Sequence, residues 1–172
     1  MPGRLDFRRT AASGFAPMVR KMAAILACVP IALSAAPSAL PLATDIAAET
    51  AKMRDARMPM LVLYSQASCT YCDTARTYLV PMSGPEAQGG RALFRQIDID
   101  SDAALVDFPG TLSTHRAVAR SHKARVTPTV RIFDADGRAV GEDIVGLRLE
   151  DFYATYIENA IDEGRRHMGA TD

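Results

Sequence analysis

The pattern of apolar and polar residues predicts strands that alternate with helices. An uninterrupted apolar run at 60–64 has the length of a strand and predicts one that is buried on both faces. Further strands are predicted at 92–100, 126–133 and 138–145. The last two flank an Asp-Ala-Asp-Gly sequence at 134–137, which is typical of a hairpin turn.

Helical segments are predicted between these strands. The first covers 45–57, with Asp45 as its N-cap. A second covers about 70–81, and a short third one covers about 113–123. Residues 102–112 contain a Pro-Gly pair and are expected to form an irregular insertion.

The last helix has the clearest periodicity in the chain. Its apolar residues recur every three or four positions, as expected for one buried face, and Gly164 is expected to end it. The predicted order of elements is therefore α-β-α-β-α-β-β-α. The residues of this apolar face are Leu149, Phe152, Tyr153, Tyr156, Ile157, Ala160 and Ile161.

The N-terminal region has the pattern of an export signal. Arg20 and Lys21 precede a run at 22–44 that holds no charged residue, and small residues follow the most apolar part of this run. A basic flank, an apolar stretch and small residues are typical of a secretory signal peptide. We therefore predict a signal region at 1–43 and a folded domain at 44–172.

The details of this signal leave alternatives open. Met18 is an alternative translation start, and cleavage is expected within 36–43. The uncharged run at 22–44 could instead be retained as a membrane anchor, although it is rich in alanine and contains three prolines. A lipoprotein is the other alternative, because the residues before Cys28 form a short lipobox.

Composition narrows the class of protein. The sequence has 172 residues, 48% of them hydrophobic, which suits one domain with a sizeable core. From residue 44 onward, 15 Lys and Arg residues stand against 19 Asp and Glu residues. This mildly acidic balance does not indicate binding to nucleic acid or to an anionic membrane surface.

The cysteines indicate redox chemistry. Removal of the signal would remove Cys28 and leave only Cys69 and Cys72, in an oxidising compartment. Cys69 follows the strand predicted at 60–64 and immediately precedes a helix. The free N–H groups and dipole of that helix would lower the thiol pKa and favour the reactive thiolate. Cys72 lies one turn later, within reach to resolve a mixed disulfide.

Zinc binding is a structural alternative for a Cys-x-x-Cys pair. A structural zinc site needs four ligands, which are usually supplied by a second cysteine pair or a histidine pair. The sequence has no second cysteine pair, and His115 and His122 are seven positions apart, which does not match a zinc motif. We therefore expect no metal site and no cofactor, and we expect these histidines to be solvated or packed at the edge of the core.

The order of elements and motifs resembles the thioredoxin superfamily over about 45–165. The resemblance implies the α/β thioredoxin fold, with a central mixed β-sheet flanked by helices. The motifs that carry it are Cys69-Thr-Tyr-Cys72, Ile97-Asp-Ile-Asp100, Val126-Thr-Pro-Thr129 and Val145-Gly-Leu147.

The resemblance also implies roles for particular residues. By this likeness Cys69 is the nucleophile and Cys72 is the resolving thiol. Pro128 is expected to be a cis-proline that faces the disulfide, since X-Pro bonds are the main setting for cis peptides. Thr127 is expected to offer backbone hydrogen bonds to a substrate strand. Tyr71 completes the expected substrate-binding set, which is similar to that of the periplasmic disulfide isomerases.

Some positions depart from thioredoxin itself. Leu63 occupies the position of a buried acid, and Gln96 occupies that of the neighbouring lysine. Ser68 replaces a tryptophan, and Thr70-Tyr71 replaces Gly-Pro. General-base assistance to Cys72 must therefore come from water or another group, which weakens the expectation of efficient thioredoxin-type reduction but leaves disulfide exchange intact.

The sequence thus predicts a thiol–disulfide oxidoreductase of the bacterial periplasm. Its expected partners are protein or small-molecule disulfides and thiols, together with a membrane or periplasmic redox protein. One alternative is a module that binds a soft ion such as Cu(I) through both thiolates, although Met82 and Met168 are the only later methionines. The other alternative is a redox-silent domain that binds a partner.

Overall fold

The computed structural model describes residues 39–88, 90–147 and 150–170, which are built around a four-stranded mixed sheet. Its strands are β1 (Met60–Ser65), β2 (Leu93–Asp98), β5 (Thr129–Phe133) and β6 (Ala139–Val145), in the spatial order β2-β1-β5-β6. The first pair is parallel, and the other two pairs are antiparallel.

Helices cover both faces of this sheet. They are α1 (Ile46–Ala56), α2 (Thr70–Met82), α3 (His115–Ser121) and α4 (Tyr153–His167). The alternation of side chains along β1 requires this arrangement: Met60, Val62 and Tyr64 pack on one face with α1 and α3, whereas Leu61 and Leu63 pack on the other face with α2 and α4. All five side chains are fully buried. The predicted mixed sheet flanked by helices is thus confirmed.

The expected irregular insertion at 102–112 is wrong. The structure has an antiparallel hairpin there, made of β3 (Ala104–Val106) and β4 (Leu112–Thr114). Leu105 is fully buried and anchors the hairpin, and Gly110 at its tip has φ +81°, a conformation that glycine adopts easily. Strands of three residues are too short to give a period-two signal in the sequence.

Both expected stop signals of the long helices lie inside those helices. α2 passes through Pro81 and ends one residue later, so the missing N–H of the proline affects only its last turn. α4 passes through Gly164 and ends at His167. Gly164 is buried against Ile132 and Pro59, so this glycine allows close packing instead of ending the helix.

The apolar face of α4 is narrower than its sequence predicts. Tyr153, Ile157 and Ile161 are fully buried. Phe152, in a 3-10 turn before the helix, is 58% exposed, and Tyr156 is 41% exposed. Predicted residue Leu149 lies outside the described residues.

The predicted signal region falls mostly outside the described residues. Its last residues pack on the domain: Leu40 is buried, and backbone hydrogen bonds join Ala43 N–H to Gln96 O and Gln96 N–H to Pro41 O, both at 2.9 Å. Within 39–88, 90–147 and 150–170, no helix is long and apolar enough to cross a membrane.

Candidate active site

A disulfide joins Cys69 and Cys72 at the N-terminus of α2. Cys69 is the N-cap of this helix, and its sulfur accepts a hydrogen bond from the Cys72 N–H at 3.1 Å. The Cys69 side chain is partly exposed, whereas Cys72 is fully buried. The helix thus directs its free N–H groups and positive dipole end at Cys69, which stabilises negative charge on that sulfur when the disulfide is open.

The loop that contains Pro128 packs against the same sulfur. Thr127 Oγ1 lies 3.6 Å from Cys69 Sγ, and the Thr127–Pro128 peptide bond is cis. Pro128 lacks an N–H and lies just before β5, which begins at Thr129 and not at the predicted residue 126. The structure therefore brings Cys69, Cys72 and Thr127 together, and Pro128, which directly follows Thr127 in the chain, is buried.

Exposed apolar side chains flank the disulfide in the chain. Tyr71, between the two cysteines, is 68% exposed, and Val126, just before Thr127, is 56% exposed. Among the described residues, Tyr71 makes no hydrogen bond and no ring contact. Both side chains are therefore available to an incoming molecule.

The position that sequence reasoning missed is Arg76, one turn after Cys72 on α2. Its guanidinium donates hydrogen bonds to Ser65 Oγ at 2.6 Å, to Gln96 Oε1 at 3.0 Å and to Asp73 Oδ1 at 2.6 Å. Leu63 pairs with Gln96 across β1 and β2. These two paired positions thus carry an apolar residue and an amide, and Gln96 accepts from an arginine supplied by α2.

A polar cavity of about 330 Å³ lies beside this arginine. Asp100, in its wall, accepts a hydrogen bond from the Ala67 N–H at 3.0 Å and so fixes the loop that leads to Cys69. Asp98 accepts from the Gln96 amide at 2.7 Å. Water that enters this cavity has access to the charged and amide groups that line it.

The two histidines lie in α3 and at its C-terminal end, and among the described residues neither forms a hydrogen bond with Cys69, Cys72 or Thr127. His115 is buried, and its Nδ1 accepts a hydrogen bond from the Asp98 N–H at 3.0 Å. His122 Nδ1 lies 2.7 Å from the hydroxyl of buried Tyr64, and its Nε2 lies 3.6 Å from Asp107. Burial raises the pKa of Tyr64 far above its usual value.

The described residues offer little to a metal ion. No group of three His, Cys, Asp or Glu side chains within them is placed to hold one. Met82 is the last residue of α2, ten positions after Cys72, or about 15 Å along the helix axis at 1.5 Å per residue. Its thioether therefore cannot join the two sulfurs as a ligand.

Comparison with known proteins agrees with this architecture. The fold and the site define a thioredoxin-fold protein with a Cys-x-x-Cys disulfide at the start of a helix. The family model of the thioredoxin-like domain matches residues 45–161, and the chain therefore belongs to this family. A thioredoxin-like domain with such a cysteine pair supports thiol–disulfide redox function in general. No curated protein matches the chain in sequence.

Solved thioredoxin structures resemble the chain at low sequence identity. Mitochondrial thioredoxin 3 from Saccharomyces cerevisiae is 15% identical, with 72% of this chain and 93% of that chain covered and a TM-score of 0.48. Thioredoxin O2 from Arabidopsis thaliana is 16% identical, with 72% and 96% covered and a TM-score of 0.49. A thioredoxin-fold protein from Helicobacter pylori is 15% identical, with 67% and 74% covered and a TM-score of 0.48.

Proposed function

We propose that this protein is an exported thiol–disulfide oxidoreductase that acts in the periplasm on protein or small-molecule disulfides. The observation that carries the proposal is the position of Cys69 Sγ, at the N-terminus of α2 and 3.6 Å from Thr127 Oγ1. A partly exposed sulfur at a helix N-terminus is the form of cysteine that attacks disulfides.

Exchange proceeds through two displacements. The Cys69 thiolate attacks one sulfur of a substrate disulfide, forms a mixed disulfide and releases the other sulfur as a thiolate. The Cys72 thiolate then attacks Cys69 Sγ, which closes the Cys69–Cys72 disulfide and releases the second substrate thiolate. Two electrons pass from the protein dithiol to the substrate, and the reverse sequence oxidises a substrate dithiol.

Thr127, Pro128 and Tyr71 bind the substrate in this proposal. Among the described residues, the backbone N–H and carbonyl of Thr127 make no hydrogen bond, so both are available to an extended substrate segment. The exposed ring of Tyr71 provides apolar contact area next to the disulfide.

Export is part of the same proposal. The packing of Leu40, Pro41 and Ala43 on the domain supports cleavage before Leu40, in the N-terminal part of the predicted range at 36–43. Peptide mass mapping of the protein recovered from a periplasmic extract tests this. A mature chain that begins after Ala43 would contradict the proposed cleavage position, and a chain that stays in the cytoplasm would contradict export.

Trapping of a mixed disulfide tests the chemistry. Cys72→Ser should retain a covalent partner on Cys69, because the resolving thiol is missing, whereas Cys69→Ser should retain none. Equilibration of the mature chain, which lacks Cys28, with glutathione then gives the reduction potential of the Cys69–Cys72 pair. A value of about −270 mV marks a reductant, and one between about −180 and −120 mV marks an oxidase or isomerase. A pair that does not exchange at all would overturn the proposal.

A further inference from the structure

The outer edge of β6 is the open edge of the sheet. At the opposite edge, β2 is partly covered by the backbone hydrogen bonds of Pro41 and Ala43. β6 ends the strand order, and no described residue pairs with its outer side. Five of the seven residues at 139–145 are exposed. A strand edge of this kind presents unpaired N–H and C=O groups on which another strand can form.

A groove of about 1010 Å³ runs between this edge and α4. Ile144, Val145 and Tyr156 give it apolar contact surface, and the last two are 42% and 41% exposed. The residues that line it also include four carboxylates and one guanidinium. The groove is therefore amphipathic and negatively charged.

Two of these carboxylates have no counter-ion within the described part of the chain. Asp143 forms a bidentate ion pair with Arg131, and Asp162 pairs with Arg91. Glu142 on β6 and Glu163 on α4 form no ion pair with any described residue. The two unpaired carboxylates thus lie on opposite walls of the groove and exceed in number its one guanidinium, that of Arg166.

Glu163 is held close to the strand. Its Oε2 lies 2.7 Å from the position that a Cβ on Gly141 would occupy, so the absence of a side chain at Gly141 makes room for this carboxylate. The φ of +72° at Gly141 also interrupts the regular register between β5 and β6.

One end of the groove adjoins the redox site. Val145 pairs with Thr129, and the Gly146 N–H donates a hydrogen bond to the Pro128 carbonyl at 2.8 Å. Pro128 follows Thr127, whose hydroxyl touches Cys69. A chain that lies along β6 can therefore continue to the disulfide.

We propose that this groove binds an extended segment of the protein with which the disulfide exchanges, and that this segment carries Lys or Arg side chains. The segment adds to β6 as a fifth strand, with its cations at Glu142 and Glu163 and its apolar side chains on Tyr156, Ile144 and Val145. A second copy of this chain would place the same acidic edge against itself, which is unfavourable. The inference rests on the proposed function for the identity of the partner.

The test uses two blocked octapeptides as probes, one of alternating Lys and Val and one of alternating Glu and Val. Each is titrated into the isotope-labelled full chain and followed by NMR. We expect the Lys peptide to shift amide signals at 139–146 and 156–163 in a saturable manner, and the Glu peptide to shift none of them. The double variant Glu142→Lys/Glu163→Lys should weaken binding about tenfold.

The matched control is Glu158→Lys, on an exposed part of α4 outside the groove. It should leave binding of the Lys peptide unchanged. Equal binding of both peptides, shifts confined to other surfaces, or an equal loss in the control would overturn the proposal. Concentration-dependent shifts at 139–145 without peptide would identify a second copy as the occupant and would also overturn it.

Exchange kinetics separate this inference from the proposed function. The double charge reversal should leave exchange with the uncharged hydroxyethyl disulfide unchanged and should slow exchange with a disulfide-linked Lys–Val peptide about threefold or more. Failure of the Cys72→Ser trap would reject the oxidoreductase while leaving the NMR shifts in place. If the unmodified protein and the double variant exchange with the peptide disulfide at the same rate, the proposal about the groove is rejected and the proposed function is unaffected.

Discussion

The guanidinium of Arg76 donates a hydrogen bond of 2.6 Å to Ser65 Oγ and so connects α2 to the end of β1. Ser65 is fully buried, and Gln96, the second acceptor of this guanidinium, is 8% exposed. Removal of the arginine would leave the Ser65 hydroxyl without this partner in a buried position, and Gln96 at the wall of the adjoining cavity. The network therefore holds the redox helix against the two strands that precede and follow it in the chain.

We expect Arg76→Met to lower the free energy of unfolding by about 1–3 kcal/mol, because buried acceptors would lose a charged donor while the apolar length of the side chain is retained. Urea denaturation of the oxidised protein measures this. Arg120→Met, on the exposed side of α3, serves as the control and should change stability by less than about 0.5 kcal/mol. Equal effects of the two substitutions would show that the network contributes nothing.

The hydroxyl of Thr127 gives a second prediction, about reactivity. Thr127→Val keeps the shape of the side chain but removes the O–H that can donate to Cys69 Sγ at 3.6 Å. The Cys69 thiolate of the reduced protein should then be less stable. We expect alkylation by iodoacetamide at pH 7 to slow about threefold to tenfold, the range expected for loss of one hydrogen bond to a charged sulfur.

The control for this substitution is Thr129→Val. Its hydroxyl donates to the Val126 carbonyl at 2.8 Å and not to the sulfur. Alkylation of Cys69 should proceed at the unmodified rate in this variant. If both variants react like the unmodified protein, the Thr127 hydroxyl does not act on the sulfur.

The sequence predicted the features of the fold that depend on local pattern. The apolar run of β1, the N-cap at Asp45 and the turn at 134–137 are each encoded within a few neighbouring residues, and all three are present. The family and the mixed sheet followed from the order of motifs. The residues that the motifs placed near one another, Cys69 and Thr127, are in contact.

What the sequence did not predict depends on contacts between distant segments. Two of the three acceptors of Arg76 are distant in sequence, since Ser65 lies 11 positions earlier and Gln96 lies 20 positions later. The residues next to Arg76 therefore do not indicate that it joins α2 to the sheet. Tyr156 fits the helical period but faces the groove beside β6, because only the packing of α4 decides how wide its buried face is. In the same way, a glycine at 164 is typical of a helix end in the sequence, but in the structure Gly164 lies within α4 and is the point of its close contact with Ile132 and Pro59.

A third prediction concerns Asp107 and acid stability. Burial alone would raise the pKa of this carboxyl, but the nearby His122 imidazole, at 3.6 Å, and a hydrogen bond from the Phe108 N–H outweigh it and hold the pKa below the ordinary value of 3.8. A carboxyl with a lowered pKa in the folded state stabilises the protein above its ordinary pKa, and this contribution is lost as the pH falls through the folded value.

Asp107→Asn should therefore lower the free energy of unfolding at pH 7 by about 0.5–1 kcal/mol, a range that allows for solvent screening. The deficit should begin to shrink below about pH 4, where this carboxyl takes up a proton in the unfolded state, and should disappear once the pH falls below the lowered pKa of the folded protein. Urea denaturation at several pH values measures both. The control, Asp55→Asn on the exposed face of α1, should not lower the free energy of unfolding at neutral or at acidic pH. A deficit at Asp107 that is constant with pH would contradict the electrostatic explanation.

The last prediction concerns the close approach at Gly164. A Cβ at this position would lie 2.7 Å from Ile132 Cγ2 and 2.9 Å from Pro59 Cβ, so Gly164→Ala must push α4 away from β5 and from the residue before β1. Alanine favours a helix over glycine by about 1 kcal/mol, whereas overpacking in a core costs about 1–3 kcal/mol. We expect the net result to be destabilisation, seen as a lower urea midpoint. Thr155→Ala, at an exposed position of α4, also gains helix propensity but meets no such obstacle and should be neutral or stabilising. A stabilised Gly164→Ala protein would mean that α4 can shift outward at little cost, and the packing of this helix would then be looser than the contacts of Gly164 indicate.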